Sequence, residues 1–109
     1  MWYLISGAQL DEYLDRGEDI FLVDMRDADS YRRAHIRGAV NIPQAEFGRR
    51  IAQLPPDRFP VLYCYHGPNS MRAARYLASL GYEAATLYGG IREYRGRYME
   101  TNIDNFKGG

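Results

Sequence analysis

Cys64 is the only cysteine of this 109-residue chain, and its position between two predicted elements could make its thiol reactive. An apolar run over 60–63 precedes it, and an amphipathic segment over 71–80 follows a short loop. In a strand–turn–helix arrangement, the N–H groups of the turn and the positive end of the helix dipole point at the thiol. Both favour the thiolate, which is the nucleophilic form. The sequence therefore predicts a nucleophilic cysteine at the end of a strand.

The loop after the cysteine holds several residue types that could bind an anion or shape the turn. His66 could bring positive charge to the thiolate, although a histidine facing solvent is an equally good interpretation. Gly67 permits a backbone conformation that other residues resist, whereas Pro68 stiffens the loop and lacks an N–H donor. Ser70 could cap the following helix or bond the sulfur, and capping is the preferred interpretation. The candidate binding residues of the loop are Tyr65, His66, Gly67, Pro68, Asn69 and Ser70.

Two arginines are candidates for anion binding outside the loop. Arg72 lies on the helix after the loop, where a solvated face is the more common outcome. Arg26 follows Asp24 closely at the end of another predicted strand, and the pair is interpreted as a structural ion pair. A lone cysteine at a strand end is also often a small buried hydrophobe, so the cysteine by itself does not establish chemistry.

The elements that must position these residues alternate between strands and helices. Short apolar runs predict strands, and amphipathic spacing predicts helices between them. Strand–helix alternation indicates an α/β fold with a mainly parallel, five-stranded sheet and helices on both faces. In such sheets ligands bind beyond the carboxyl ends of strands, where Asp24 and Cys64 both lie. The predicted strands cover 2–5, 20–23, 39–42, 60–63 and 83–88; helices are predicted over 27–33, 43–54, 71–80 and 91–98, with another after Ser6.

Composition excludes several classes of protein. The 14 basic and 14 acidic residues give no net charge, which predicts neither a nucleic-acid nor a membrane partner. One cysteine cannot form an internal disulfide, which fits a reducing, cytoplasmic setting, and no signal peptide is recognised. One cysteine and two separated histidines offer no metal-ligand spacing, and no cofactor motif is present.

Two stretches resemble the rhodanese-like sulfurtransferases. The first runs from the strand ending in Asp24 through His35 to Pro43; the second comprises the cysteine strand, its loop and helix, and the turn Gly89-Gly90. The loop is most similar to that of small single-domain bacterial thiosulfate sulfurtransferases. The resemblance implies a rhodanese-like domain over 1–100, followed by a polar tail over 101–109.

The resemblance implies that Cys64 takes a sulfur atom from thiosulfate and passes it, as a persulfide, to cyanide or to a thiol acceptor. A dithiol protein such as thioredoxin is one such acceptor, and Arg26 would lie near the anion. The sequence departs from the family pattern at Asn69, where many members have arginine or threonine, and at Ser30, where some two-domain members have an arginine that contacts the substrate.

Two alternatives remain open on the sequence. The domain could be a sulfur-relay or docking module for a protein partner. A phosphatase or arsenate reductase is less favoured, because its loop needs an arginine six positions after the cysteine, where this chain has Ser70.

Overall fold

A computed structural model describes residues 1–101, and a five-stranded parallel sheet is its centre. The strands lie in the order β1-β6-β5-β2-β4, and each neighbouring pair is parallel. Their bounds are Trp2–Ile5 for β1, Ile20–Asp24 for β2, Val40–Asn41 for β4, Phe59–Tyr63 for β5 and Ala84–Leu87 for β6. The predicted fold class is confirmed, because all five predicted strands are present and share one direction.

Helices cover both faces of this sheet. They are α1 (Gly7–Asp15), α2 (Ala28–Arg33), α3 (Gln44–Arg50), α4 (Pro68–Ser79) and α5 (Gly90–Glu93). Successive strand residues point to opposite faces, so Val61 packs in one core and Leu62 in the other. The first core includes Leu10 of α1, and the second includes Phe47 of α3 and Leu77 of α4. None of the helices within 1–101 is long and apolar enough to cross a membrane.

The helix predicted over 91–98 is wrong beyond Glu93. The chain turns extended at Tyr94, whose hydroxyl donates to the buried carboxylate of Asp11 at 2.5 Å. The backbone N–H of Arg97 donates to the same carboxylate at 3.0 Å. Gly96 fits against this group, since a Cβ there would lie 2.3 Å from Asp11 Oδ1. The segment therefore wraps around one carboxylate instead of forming helical bonds.

Two short strands were not predicted from the sequence. Strand β3, Ala34–Ile36, pairs antiparallel with β7, Met99–Thr101, in a separate two-stranded sheet. Each is only three residues long, which is too short for a clear alternation of polar and apolar residues. The remainder of the predicted tail, 102–109, lies outside the described residues, and the proposed domain boundary stays a prediction.

The helix after the cysteine begins at Pro68, three residues before the predicted start. Proline suits the first helical position because the N–H that it lacks has no partner within the helix there. Gly67 is the N-terminal cap residue, with a φ of 125° that favours glycine. The loop is consequently only three residues long, from Tyr65 to Gly67, and the first turn of α4 lies directly against the cysteine.

Candidate active site

The thiol of Cys64 is surrounded by hydrogen-bond donors from the loop and from the first turn of α4. The N–H of Gly67 donates to Sγ at 3.0 Å, and the N–H of Ser70 lies 3.5 Å away. The hydroxyl of Ser70 is a third donor at 3.4 Å. Cys64 is itself 4% exposed, so these contacts are largely shielded from water. The arrangement is suited to stabilising negative charge on sulfur.

Ser70 is not the cap of α4, so the preferred interpretation of this residue is wrong. The helix already begins at Pro68, which places Ser70 in its first turn with its side chain directed inward. Ser70 is fully buried, and its hydroxyl also lies 3.2 Å from the carbonyl oxygen of Gly67 and 2.7 Å from the hydroxyl of Thr86. The structure thus favours the alternative role, a contact with the cysteine sulfur.

The turn after β6 holds the cysteine loop in place. The N–H of Ile91 donates to the carbonyl oxygen of Cys64 at 3.0 Å, and that of Arg92 donates to the carbonyl of Tyr65 at 2.9 Å. A Cβ on Gly90 would lie 2.4 Å from the Tyr65 oxygen and 2.7 Å from that of Cys64. Only glycine permits this close approach of the Gly90 backbone to the two carbonyls. Because these carbonyls are bonded by α5, the loop N–H groups remain directed at the sulfur.

A cleft of about 640 Å³ opens over Cys64 at the carboxyl edge of the sheet. This is the edge at which parallel sheets bind ligands. The sequence-predicted residues Arg26, Tyr65, His66 and Asn69 line the cleft together with Cys64. Ser30, which the resemblance had marked as a departure at a substrate-contacting position, also lies in the wall. Sequence reasoning did not assign the remaining wall residues to a site; they are Met25, Asp27, Pro43, Gln44 and Ala45.

Arg26 is held by the predicted ion pair with Asp24, which the structure confirms. Nη2 of Arg26 lies 2.7 Å from Asp24 Oδ2, and Nε bonds the same carboxylate. The same Nη2 also donates to the carbonyl of Ala34 at 2.6 Å. Burial acts to lower the pKa of Arg26, but the hydrogen bond and negative charge of Asp24 outweigh it and raise that pKa. Asp24 is fully buried, so its charge is compensated chiefly by this guanidinium.

The other predicted site residues divide between the cleft and the surface. Tyr65 and His66 are exposed at the mouth of the cleft, and their rings contact each other edge to face. Asn69 is half-buried in the wall of the cleft. Arg72 is exposed, donates to Asn69 Oδ1 and lies outside the residues that line the cleft, in agreement with the solvated-face interpretation.

Thr86 is a buried contact of the site that sequence reasoning missed. It is the one polar residue in the buried strand Ala84–Leu87, and a hydroxyl in an otherwise apolar strand was the available signal. Within 1–101 no group of three or more His, Cys, Asp or Glu side chains is arranged to hold a metal ion.

Comparisons with known proteins agree with this geometry. A family model described as "Rhodanese-like domain" matches residues 6–97. The thiosulfate sulfurtransferase GlpE of Pseudoalteromonas translucida is 35% identical over 97 residues, covering 88% of this chain and 91% of that protein. The probable adenylyltransferase/sulfurtransferase MoeZ of Mycobacterium tuberculosis is 38% identical over 90 residues, which cover 80% of this chain and 23% of that protein.

Among solved structures, a rhodanese-related protein from Thermoplasma volcanium superposes with a TM-score of 0.81 at 25% identity. The match covers 90% of this chain and 97% of that one. The family model includes the cysteine loop, because its match over 6–97 contains residues 64–67.

Proposed function

The chain belongs to the rhodanese-like domain family, and from this membership we propose that it is a thiosulfate sulfurtransferase acting through Cys64. The observation that carries the proposal is the set of hydrogen-bond donors around the sulfur of Cys64. Its Sγ is within reach of two backbone N–H groups and one hydroxyl at the base of a cleft. This arrangement lowers the cost of a sulfur anion in a shielded site, both before and after a sulfur atom is transferred.

The first step is an attack of the Cys64 thiolate on the outer sulfur of thiosulfate. A new S–S bond forms, the S–S bond of thiosulfate breaks, and sulfite leaves with the electron pair. The enzyme then carries one extra sulfur as a persulfide anion. In the second step cyanide or a thiolate attacks the outer sulfur and restores the Cys64 thiolate, in the manner of thiol–disulfide exchange. Neither step needs a metal or a redox cofactor.

The donor is proposed to enter through the cleft. Arg26 is the arginine in its wall, while His66 and Asn69 could bond the sulfonate oxygens. A cleft of about 640 Å³ also leaves room for an acceptor larger than cyanide. A thiol or dithiol acceptor in a reducing compartment fits the single unpaired cysteine.

A sulfur-relay or docking module is the second candidate. It is favoured by the relative MoeZ, because the matched region makes up only 23% of that longer protein and is therefore one part of a larger chain. A relay module would form the same Cys64 persulfide but deliver sulfur only to its protein partner. A docking module would not need the donors around the sulfur. Phosphatase chemistry is not supported, because Ser70 occupies the required arginine position and Arg72 lies outside the cleft.

The test is intact-mass measurement after treatment with thiosulfate, combined with cyanide-dependent release of thiocyanate. The wild-type chain should gain one sulfur atom and lose it on addition of cyanide. Cys64→Ser should gain none, and turnover should fall on the order of a thousandfold, because the variant lacks the nucleophile that carries the sulfur. Unchanged circular dichroism would show that the variant is folded. Substantial sulfur transfer by Cys64→Ser would refute the mechanism, and a wild-type persulfide without cyanide turnover would favour the relay.

A further inference from the structure

Thr86 and Ser70 form a hydroxyl pair below the cysteine sulfur. Both residues are fully buried, and their side-chain oxygens are 2.7 Å apart. Thr86 lies on β6, on the face that packs against α4, whereas Ser70 lies on α4 itself. Threonine at this position carries the cost of a buried polar group, which valine would avoid.

The protons available to this pair limit how it can be arranged. The Ser70 hydroxyl has one proton but two acceptors within reach, Sγ at 3.4 Å and the carbonyl of Gly67 at 3.2 Å. A thiolate can only accept, so bonding it requires the Ser70 proton to point at sulfur. Ser70 then has none left for Thr86, and the 2.7 Å contact requires the Thr86 hydroxyl to donate to Ser70.

We propose that Thr86 is a positioning residue that directs the Ser70 proton to the Cys64 thiolate. By donating to Ser70 Oγ, Thr86 occupies a lone pair of that oxygen and polarises the remaining O–H bond. The Ser70 hydroxyl becomes a stronger donor, and its orientation toward sulfur is favoured over orientation toward Gly67. The inference rests on the proposed function only in assuming that Cys64 works as a thiolate.

Charged and titratable groups lie near the cysteine loop on two sides: the cleft side, and the side of α5, where Arg92 and Glu93 share a cavity with His66 and Gly67. Arg26, Asp27, Tyr65 and His66 line the cleft with Cys64, and Asp24 is paired with Arg26. The hydrogen bonds of the Thr86 side chain within 1–101 involve only Ser70, and none of these charged groups. A substitution of Thr86 therefore changes the hydroxyl donor to sulfur while leaving the charges of the cleft in place.

The test compares Thr86→Val, which keeps the shape but lacks the hydroxyl, with Thr86→Ser, which keeps the hydroxyl. The rate of Cys64 alkylation by iodoacetamide is measured against pH. The midpoint of this profile should move upward by about half a pH unit in Thr86→Val, because the thiolate has lost part of its stabilisation. Thr86→Ser should retain the wild-type midpoint. Thr86→Ala, which also lacks the hydroxyl, should shift in the same direction and replaces Thr86→Val if that variant does not fold.

A double-mutant cycle tests whether Thr86 acts through Ser70. In a Ser70→Ala background, Thr86→Val should cause no further shift of the alkylation midpoint. The proposal is overturned by a wild-type profile in Thr86→Val, by a shifted profile in Thr86→Ser, or by a shift that persists without the Ser70 hydroxyl. If the alkylation midpoints shift as expected but the wild-type chain forms no persulfide, the proposed function is refuted and this inference still holds.

Discussion

At the scale of single residues, the electrostatic support of Cys64 comes from small dipoles. The contacts to Sγ within 1–101 are two backbone N–H groups and the Ser70 hydroxyl, and none comes from an arginine. Nε and Nη2 of Arg26 already donate hydrogen bonds to Asp24, and Nη2 also donates to the carbonyl of Ala34. Nη1 of Arg26 makes no hydrogen bond to any described residue, so this is the group that we propose for binding an anion in the cleft. The residue thus combines a structural ion pair with one nitrogen, Nη1, whose two N–H groups bond no described residue.

The two candidate arginines should differ in their effect on thiosulfate affinity. Arg26→Lys removes the Nη1 donor and reduces the two-nitrogen contact with Asp24 to a single cation, so urea unfolding is measured alongside to separate affinity from stability. Loss of one hydrogen bond to an anion costs about 1.5 kcal/mol, so the KM for thiosulfate should rise roughly tenfold. Arg72→Lys is the matched control, since Arg72 lies outside the cleft, and its KM should change less than twofold. Steady-state thiocyanate release measures both, and a larger effect in the Arg72 variant would exclude this assignment.

At this scale the sequence predicted the position of Cys64 well and the contacts of its sulfur only in part. The position of Cys64 after an apolar run was sufficient to place it at the end of a strand. The contact between Ser70 and sulfur could not be derived, because it depends on where α4 begins, and a shift of three residues changes a cap into a buried donor. Thr86 is distant in sequence and reaches the site only through the pairing of β5 with β6.

At the scale of elements, the turn from β6 into α5 and the cysteine loop form one unit. Two N–H groups of α5 bond two carbonyls of the loop, and the backbone of Gly90 lies against them. The Gly-Gly motif was visible in the sequence, but its contact partner was not, since the two segments are joined only in the folded sheet. The same reason explains β3 and β7, whose pairing cannot be derived from three-residue strands. The five strands of the parallel sheet, by contrast, were predicted to within one residue at each end.

Gly90→Ala should destabilise the protein and impair sulfur transfer together. The added Cβ meets the carbonyl of Tyr65 at 2.4 Å, and the φ of +66° is itself unfavourable for alanine. The free energy of unfolding should fall by about 3 kcal/mol. Gly17→Ala is the matched control, because Gly17 has the same φ of +66° but nothing within 4 Å of the added Cβ. It should lose about 1 kcal/mol and keep full activity.

Urea unfolding gives the stabilities of both glycine variants, and thiocyanate release gives their activities. Equal losses of stability in the two variants would mean that backbone strain alone accounts for the effect. The contact of Gly90 with the loop would then have no measurable importance.

At the scale of the whole molecule, buried tyrosine hydroxyls join parts of the chain that the parallel sheet does not connect. Tyr63 of β5 is fully buried, and its hydroxyl accepts the N–H of Ile36 in β3 at 3.1 Å. Tyr94 donates to Asp11 and so fastens the C-terminal segment to α1. Burial raises the pKa of both tyrosines. The negative charge of Asp24 raises the pKa of Tyr63 further, and the hydrogen bond to Asp11 raises the pKa of Tyr94 further.

These raised pKa values predict a loss of stability in alkali. The folded state keeps the Tyr63 and Tyr94 protons at pH values where the unfolded chain, with a tyrosine pKa of about 10, has released them. The stability that this difference represents is fully present below about pH 10 and is lost as the pH rises toward the folded pKa values. Above about pH 10 the free energy of unfolding should therefore fall by up to ~1.4 kcal/mol per pH unit for each of the two tyrosines.

Tyr63→Phe isolates the contribution of one of these tyrosines. At neutral pH the variant should be about 1–2 kcal/mol less stable, because the N–H of Ile36 loses its acceptor. Above about pH 10 its stability should decline less steeply than that of the wild type, by the share of one tyrosine. Tyr76→Phe, at a residue 53% exposed on α4, is the control for removing a phenol from the surface. Urea unfolding at several pH values measures the slopes, and parallel slopes in the wild type and Tyr63→Phe would show that the Tyr63 proton is not held by the fold.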